Sequence, residues 1–384
     1  MFESDIEEII KLNRLEYSEH YSSLNLISYE QAKSASQYRE SIISSLPDDV
    51  TFEFKNTKLC YGNLSPGCVL CSEGLWSCLF INNICNASCF YCPDSQKSKS
   101  EPSTNGISFS NPKDFIDFIE KFKIKGVGIS GGEPFMTFDR TINFIEKIKN
   151  KYADSIYLWI YTNGILASKE KLEILKKAGI DEIRFDITAN AYNTDKLEIA
   201  TRIIGRVTVE IPAIPEDEEE LKATVHKLNE MGVNHLNLHQ LRLTPYNYKN
   251  LIKRPYTFLH GVKVTVLESE LLALKILQYA SQNKLRLPIN YCSFVYKNRF
   301  QGAGARKRHA FYLLKPNEEI TESGFIKDSQ NYFLPLLLSS ISYQNSYKEI
   351  KLNPKKKVIL ERKKMSYKDP SEFEEIKSGL QEYY

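Results

Sequence analysis

The amino-acid sequence predicts an α/β fold, a partial (β/α)6-type TIM barrel with an N-terminal helical extension, a Cys-rich metal-binding loop and a C-terminal extension. Three observations lead there. From Ser77 to Pro288, short apolar runs alternate with amphipathic helical stretches, the pattern of parallel βα units. Six or seven such units can be counted, fewer than a closed eight-fold barrel needs. The chain of 384 residues has room for one catalytic domain of about 200 to 250 residues with additions at both ends.

Residues 1–50 place Ile6, Ile9, Ile10 and Tyr17 at helical spacing among polar residues, which predicts two or so amphipathic helices forming a cap or lid. Residues 51–78 are rich in Gly, Asn, Pro and Cys and lack periodicity, so a bound metal is expected to give them shape. The barrel occupies 79–290. Its strands are expected near 78–84, 126–130, 155–161, 181–187, 206–211 and 234–239, with a last one at 285–290. Helices fall near 111–123, 138–150, 168–178, 191–204, 216–231 and 267–283, with Ser110 and Asn111 able to cap the first and Gly179 and Gly232 placed where two others end. Residues 291–384 form a basic extension, carrying 17 Lys/Arg against 11 Asp/Glu, whereas the first 290 residues carry 34 against 37.

Composition excludes some classes. Apolar residues make up 42% and charged residues 26%, and no stretch approaches the ~20 apolar residues that span a bilayer, so no membrane partner is expected. The N-terminus starts Met-Phe-Glu-Ser-Asp, without the basic start and apolar core of an export signal, which predicts a cytoplasmic protein. Seven of the eight cysteines lie between Cys60 and Cys92, and in such a chain they point to metal rather than disulfides.

Cys85, Cys89 and Cys92 form CxxxCxxC directly after the first expected strand. Three thiolates on one loop leave one iron of a 4Fe-4S cube open to an exogenous ligand, since such clusters ordinarily take four. A zinc site is the alternative use of these thiols. Cys60, Cys68, Cys71 and Cys78 supply four further ligands, Cys68 and Cys71 at the two-residue separation that suits one ion. They are expected to form a closed second metal centre of mononuclear iron or zinc, although a second Fe-S cluster could use the same thiolates.

The trio's spacing, the aromatic Tyr91 before its last Cys and its place after the first strand resemble the radical S-adenosylmethionine (SAM) superfamily. Leu64-Ser65-Pro66-Gly67-Cys68 with Cys71, and Asn290-Tyr291-Cys292-Ser293, are similar to a branch labelled as related to pyruvate formate-lyase activating enzymes. The resemblance covers about residues 77–290 and implies that SAM sits on the open iron and is cleaved reductively to a 5′-deoxyadenosyl radical that abstracts hydrogen from an organic substrate. It implies SAM contacts at Tyr91, at Ser130, Gly131, Gly132 and Glu133, at Thr162 and Asn163, and at Glu210 beside Pro212. Arg184 and Asp186 share a face of their strand: they would be SAM or substrate ligands if that face is interior, and a buried ion pair if it meets the helices. Asn237 and His239 at the end of the sixth strand, and Cys292 after the last, are candidates for substrate contact or proton transfer.

A peptide or small molecule is the expected substrate, with an electron donor such as flavodoxin or ferredoxin as partner. RNA as substrate is a further alternative, and a zinc-stabilised nucleic-acid-binding protein is the rival from another class, supported by Arg306-Lys307-Arg308-His309, Lys355-Lys356-Lys357 and Arg362-Lys363-Lys364.

Overall fold

Seven parallel strands follow from the alternation. The structure, a computed structural model, describes every residue except 1, 99, 340–346, 373–378, 381 and 384, so parts of the first and last expected domains lie outside the described residues. A hairpin of β1 (Val50–Glu53) and β2 (Lys58–Tyr61) precedes β3 (Trp76–Phe80), β4 (Gly126–Ser130), β5 (Tyr157–Thr162), β6 (Glu182–Phe185), β7 (Val207–Pro212), β8 (His235–His239) and β9 (Ile289–Cys292). Strands β3 to β9 pair in chain order, all parallel, and β2 then pairs antiparallel with β9.

The first and last strands sit away from their expected limits for local reasons. Pro288 has no N–H for the ladder, so β9 begins after it. At the other end, Asn82 leaves the ladder because its side chain bonds the Glu133 carbonyl at 3.0 Å and the Ile84 N–H at 3.2 Å.

Helices α1 (Phe2–Tyr17) and α2 (Tyr29–Ser44) form the N-terminal layer, and Tyr17 anchors α1 through a 2.9 Å bond to the Leu243 carbonyl. A short helix α3 (Pro66–Ser72) lies inside the Cys-rich segment, with Ser65 as its N-cap and Pro66 at its first position. This segment therefore takes its shape from a capped helix and the β1–β2 hairpin, where the sequence suggested metal alone. Outside the barrel pack α4 (Pro112–Lys121), α5 (Phe138–Tyr152), α6 (Lys169–Ala178), α7 (Asp195–Ile203), α8 (Glu218–Glu230) and α9 (Leu267–Gln282), close to their expected limits. Asn111 caps α4, and Gly179 ends α6 at φ +96°.

The apolar side chains of the strands face outward. Leu158, Ile160, Ile183, Phe185, Val207, Val209, Leu236 and Leu238 are all essentially unexposed and join the helices in one core. The opposite face, toward the barrel axis, is polar: Glu182, Arg184, Thr208, Glu210, His235, Asn237 and Asn290. Helix α3 plugs this interior where the strands begin. An added Cβ on Gly67 would lie 2.4 Å from the Arg184 guanidinium, so a larger residue there must displace that buried side chain.

Strand β9 does not reach β3. A single π-turn (Lys297–Gln301) and α10 (Ala303–Leu313) fill the gap, with Arg308 donating to the Gly74 and Trp76 carbonyls. The C-terminal extension builds a five-stranded antiparallel sheet whose Ile326, Leu337, Ile350, Val358 and Leu360 extend the main core. The basic run at 306–309 is largely internal: Arg306 also donates to carbonyls, of Ser323 and Asn298. Arg362 is likewise paired with Glu318, which removes these cations from a phosphate-binding face.

Candidate active site

A cavity of about 830 Å³ opens at the carboxyl ends of β3 to β8 and is lined by all three cysteines of the CxxxCxxC motif. The volume lies within the range of about 300–1,000 Å³ usual for ligand sites. Ser130, Gly131, Gly132 and Glu133 line the same cavity, with Thr162, Asn163, Asp186, Glu210 and His239 from successive strand ends.

The cysteine loop is held from both sides. Tyr91 donates to Asp186 at 2.9 Å and lies 2.6 Å from the Thr188 hydroxyl. Asn247 donates to the Tyr91 carbonyl at 3.1 Å and Thr244 to the Pro93 carbonyl at 3.0 Å. Sequence reasoning missed these two residues, because nothing local marks a side chain whose partner lies about 150 positions away.

The Gly-Gly turn meets the chain that enters the cysteine loop. A Cβ on Gly132 would sit 1.9 Å from the Ile84 carbonyl oxygen, and one on Gly131, at φ +136°, would sit 2.4 Å from that of Asn82. Backbone cannot yield as a side chain can. Gly132→Ala is therefore expected to displace the cysteine loop and lower SAM cleavage about a hundredfold, the scale of an ångström-sized misplacement. Gly205→Ala, with no atom within 4 Å of its Cβ, should leave the rate unchanged. Equal rates of 5′-deoxyadenosine formation in the two variants would contradict this.

Glu133 is a clamp more than a ligand. Buried at 1% exposure, it accepts bonds from Thr162 Oγ1 at 2.9 Å, the Asn163 N–H at 2.7 Å and the Phe135 N–H at 3.0 Å, tying the end of β4 to the end of β5. Thr162 is thereby turned toward Glu133. Asn163 instead points at the cysteine loop, bonding Asn86 at 2.8 Å and lying 3.6 Å from the Cys85 sulfur, which also accepts the Ala87 N–H at 3.4 Å.

Donors aimed at sulfur, and a glycine cradle beside three thiols in one cavity, fit a cluster bound by Cys85, Cys89 and Cys92. Among the described residues no group of three or more His, Cys, Asp or Glu side chains is arranged to hold a single metal ion. A cluster does not demand that arrangement, because its thiolates bind separate irons. A tetrahedral ion does, and the second centre expected on Cys60, Cys68, Cys71 and Cys78 is not shown.

Register sets Cys78 apart from the other three thiols. Cys60, Cys68 and Cys71 face Cys292 and the Lys58 ammonium, whereas Cys78, on β3, neighbours Ser130 and Glu210. Burial pushes the Cys60 and Cys78 thiols up to about 12, as expected of neutral thiols in the core.

The interior faces of β6 to β9 carry a continuous polar chain. Arg184 bridges Glu182 at 2.8 Å and Glu210 at 2.7 Å, and Asn237 donates to Glu210 at 2.8 Å. Arg184 does not line the large cavity and is held in this network on the interior face. Asp186, one position past β6, reaches the rim.

Glu210 also meets His239 at 2.9 Å. Burial opposes its ionisation, but Arg184 and His239 outweigh that and hold the carboxyl well below its usual range. Below His239 lies Cys292, whose sulfur is 2.9 Å from Lys58 Nζ. Burial opposes the thiolate, yet Lys58 and His239 pull the thiol down to about 6.

Of the three candidates for chemistry, only His239 lines the large cavity. Asn237 and Cys292 border a small void of about 20 Å³ beneath it. Burial and Lys297 disfavour the His239 cation, but Glu210 and Cys292 prevail and raise its pKa above the ordinary 6.5. The stability this pair contributes is thus complete below pH 6.5 and lost as pH rises through the folded value. His239→Gln should flatten the alkaline side of a plot of Tm against pH, and an unchanged slope would refute the pairing.

The sequence profile of the radical SAM superfamily matches residues 79–234. The chain is 32% identical over 278 residues to a candidate glycyl-radical enzyme activating enzyme of Methanocaldococcus jannaschii, covering 69% of this chain and 73% of that one. It is 29% identical over 163 residues to GTP 3′,8-cyclase of Desulforamulus reducens, covering 42% of this chain and 47% of the cyclase. Among solved structures, Streptococcus suis SuiB bound to S-adenosylmethionine superposes with a TM-score of 0.45 at 17% identity, over 85% of this chain and 70% of SuiB.

Proposed function

The chain belongs to the radical SAM superfamily of enzymes, and from that premise we propose that it abstracts hydrogen from a peptide or small organic substrate in the 830 Å³ cavity, with Cys85, Cys89 and Cys92 as the cluster ligands. The observation that carries this reading is the convergence of the three thiols, the Ser130–Glu133 turn and the ends of β5 to β8 on one cavity. Held by Cys85, Cys89 and Cys92, a 4Fe-4S cluster would supply the electron for reductive cleavage of SAM.

The chain's own residues arrange that chemistry. Gly131 and Gly132 let the turn pack against the chain entering the cysteine loop, Glu133 fixes the turn against Thr162 and Asn163, and Asn163 donates toward Cys85. Tyr91 fixes the loop through Asp186, which keeps the cysteines facing inward. His239, on the cavity floor and paired with Glu210, holds a proton where a substrate group could take or return it. Asn237 and Cys292 act as positioning residues through Glu210 and His239.

Asn86, Ser88, Pro93 and Asp94 are exposed, so a small reductant such as flavodoxin or ferredoxin can approach the loop. Acidic Glu133, Asp186 and Glu210 in the cavity lining favour a peptide or neutral metabolite over phosphate-rich RNA. No helix among the described residues is long and apolar enough to cross a membrane.

The test is anaerobic reconstitution with iron and sulfide, reduction with dithionite and addition of SAM. The expected result is a cluster electron-spin signal that changes with SAM, and release of 5′-deoxyadenosine. A reconstituted protein that forms neither would overturn the proposal.

A further inference from the structure

The small void beneath His239 carries an imbalance of charge. Among the described residues four basic side chains border it, Lys58, Arg184, His239 and Lys297, against one carboxylate, Glu210. Glu182 answers Arg184 from outside the void, and Glu210 answers Arg184 and His239. Lys58 has no carboxylate partner among the described residues. Its side chain is 1% exposed, and its ammonium donates to the Asn290 amide oxygen and to the Cys292 sulfur, the latter at 2.9 Å. The same ammonium lies 4.4 Å from the centre of the Tyr296 ring.

Burial disfavours the Lys58 charge, and the groups that outweigh burial are thiols: Cys292, Cys68 and Cys60. A buried ammonium without an anion is costly, so one of these sulfurs carries the balancing charge. Cys292 is the one in hydrogen-bond contact with Lys58, and it also bonds His239. Burial raises the pKa of Cys60, Cys68 and Cys71 and keeps those three neutral. The other titratable or charged groups around the Cys292 sulfur are Arg184, Glu210, Tyr296 and Lys297.

We propose that Lys58 and Cys292 form a standing ammonium–thiolate pair that serves the large cavity as its proton store, taking up through His239 a proton released by a hydroxyl or amino group of the substrate. The ion pair stands on the lining of the void, and its service to a substrate rests on the reading of the large cavity given above. Glu210 and His239 line both spaces and so join the sulfur to the substrate side. When either accepts a proton there, His239 gives one to the sulfur: a thiolate becomes a thiol, and no electron moves. A carboxyl group of the substrate arrives already ionised at neutral pH and has no proton to give, which leaves hydroxyl and amino groups as the class served.

Ultraviolet titration of the full-length protein, without cluster or SAM, reads the thiolate directly. The double variant Lys58→Met/Cys292→Ser removes both charges together and is the blank that cancels the absorbance of the other thiols. The difference should show a thiolate at neutral pH that is lost as pH falls through about 6. An unperturbed thiol titrates near about 8.5. Lys58→Met alone should move the midpoint up by about one unit or more, a tenfold change in the thiolate equilibrium. That variant keeps its fold, because Met fills the place of Lys58 and the thiol left behind is free to be neutral. His239→Gln should also raise the midpoint by about one unit or more, since it removes the donor that shares its proton with the sulfur. Absence of a thiolate at neutral pH, or a midpoint that either variant leaves in place, would overturn the proposal. The readout needs neither SAM nor a cluster, so failure here is distinguishable from failure of the radical chemistry.

Discussion

Replacing Cys85, Cys89 and Cys92 together by Ala is expected to remove the 4Fe-4S absorbance and bring 5′-deoxyadenosine formation to the no-enzyme background. Each sulfur is only partly buried, on a loop bounded by exposed Asn86, Ser88, Pro93 and Asp94, so little of the apolar core depends on them. The loop is positioned by Tyr91, Asn247 and Thr244, none of which the substitution touches. The triple variant should therefore fold with a Tm close to that of the unsubstituted apoprotein. Iron analysis, absorbance and chromatography of the SAM cleavage products check the result together. Retained deoxyadenosine formation in the triple variant would rule out these thiols as the ligands. The iron analysis has a second use: cysteines 60, 68, 71 and 78 remain in this variant, so about one zinc or iron per chain would mark a second centre on them, and metal-free protein would refute it.

Arg184→Met is expected to be the most destabilising single substitution in the barrel, by about 3–5 kcal/mol, the scale for removing one partner from a buried pair. The side chain is 3% exposed and lies between Glu182 and Glu210, which are themselves nearly unexposed. Met keeps much of the volume but leaves two carboxylates of like charge in the interior. Their remaining donors are Thr208 and Tyr157 at Glu182, and Asn237 and His239 at Glu210. Converting Glu182 to Gln in the same chain should restore part of the loss, because it removes one uncompensated charge. Urea unfolding measures both variants. A loss below about 1 kcal/mol would place Arg184 in the class of weak surface pairs. A Met variant less stable than its double mutant with Glu182→Gln would confirm that charge, rather than packing, is the cause.

The sequence by itself determined whatever depends on neighbours in the chain. Apolar alternation located β4 at Gly126–Ser130 and the ends of α6 and α9 to within a residue or so, because each strand or helix buries a face whose spacing is written locally. The cysteine trio was legible for the same reason, since its three ligands share one loop, and the Gly-Gly turn was legible because only glycine tolerates such close backbone approach.

Tertiary structure alone decided what fills the barrel and which thiols meet. Period-2 alternation puts Arg184 and Glu210 on the inward faces of β6 and β7, but only parallel pairing in register brings them together as an ion pair. The clearest case is the second group of cysteines. Sequence spacing joined Cys78 to Cys60, Cys68 and Cys71, yet antiparallel pairing of β2 with β9 sets Cys60 opposite Asn290 and Lys58 opposite Cys292. That pairing brings together residues more than 200 positions apart, and it gives Lys58 a thiol as its buried partner. Register is set by the packing of whole strands, where a shift of one residue would turn every side chain to the other face, and no local pattern around Lys58 or Cys292 encodes it.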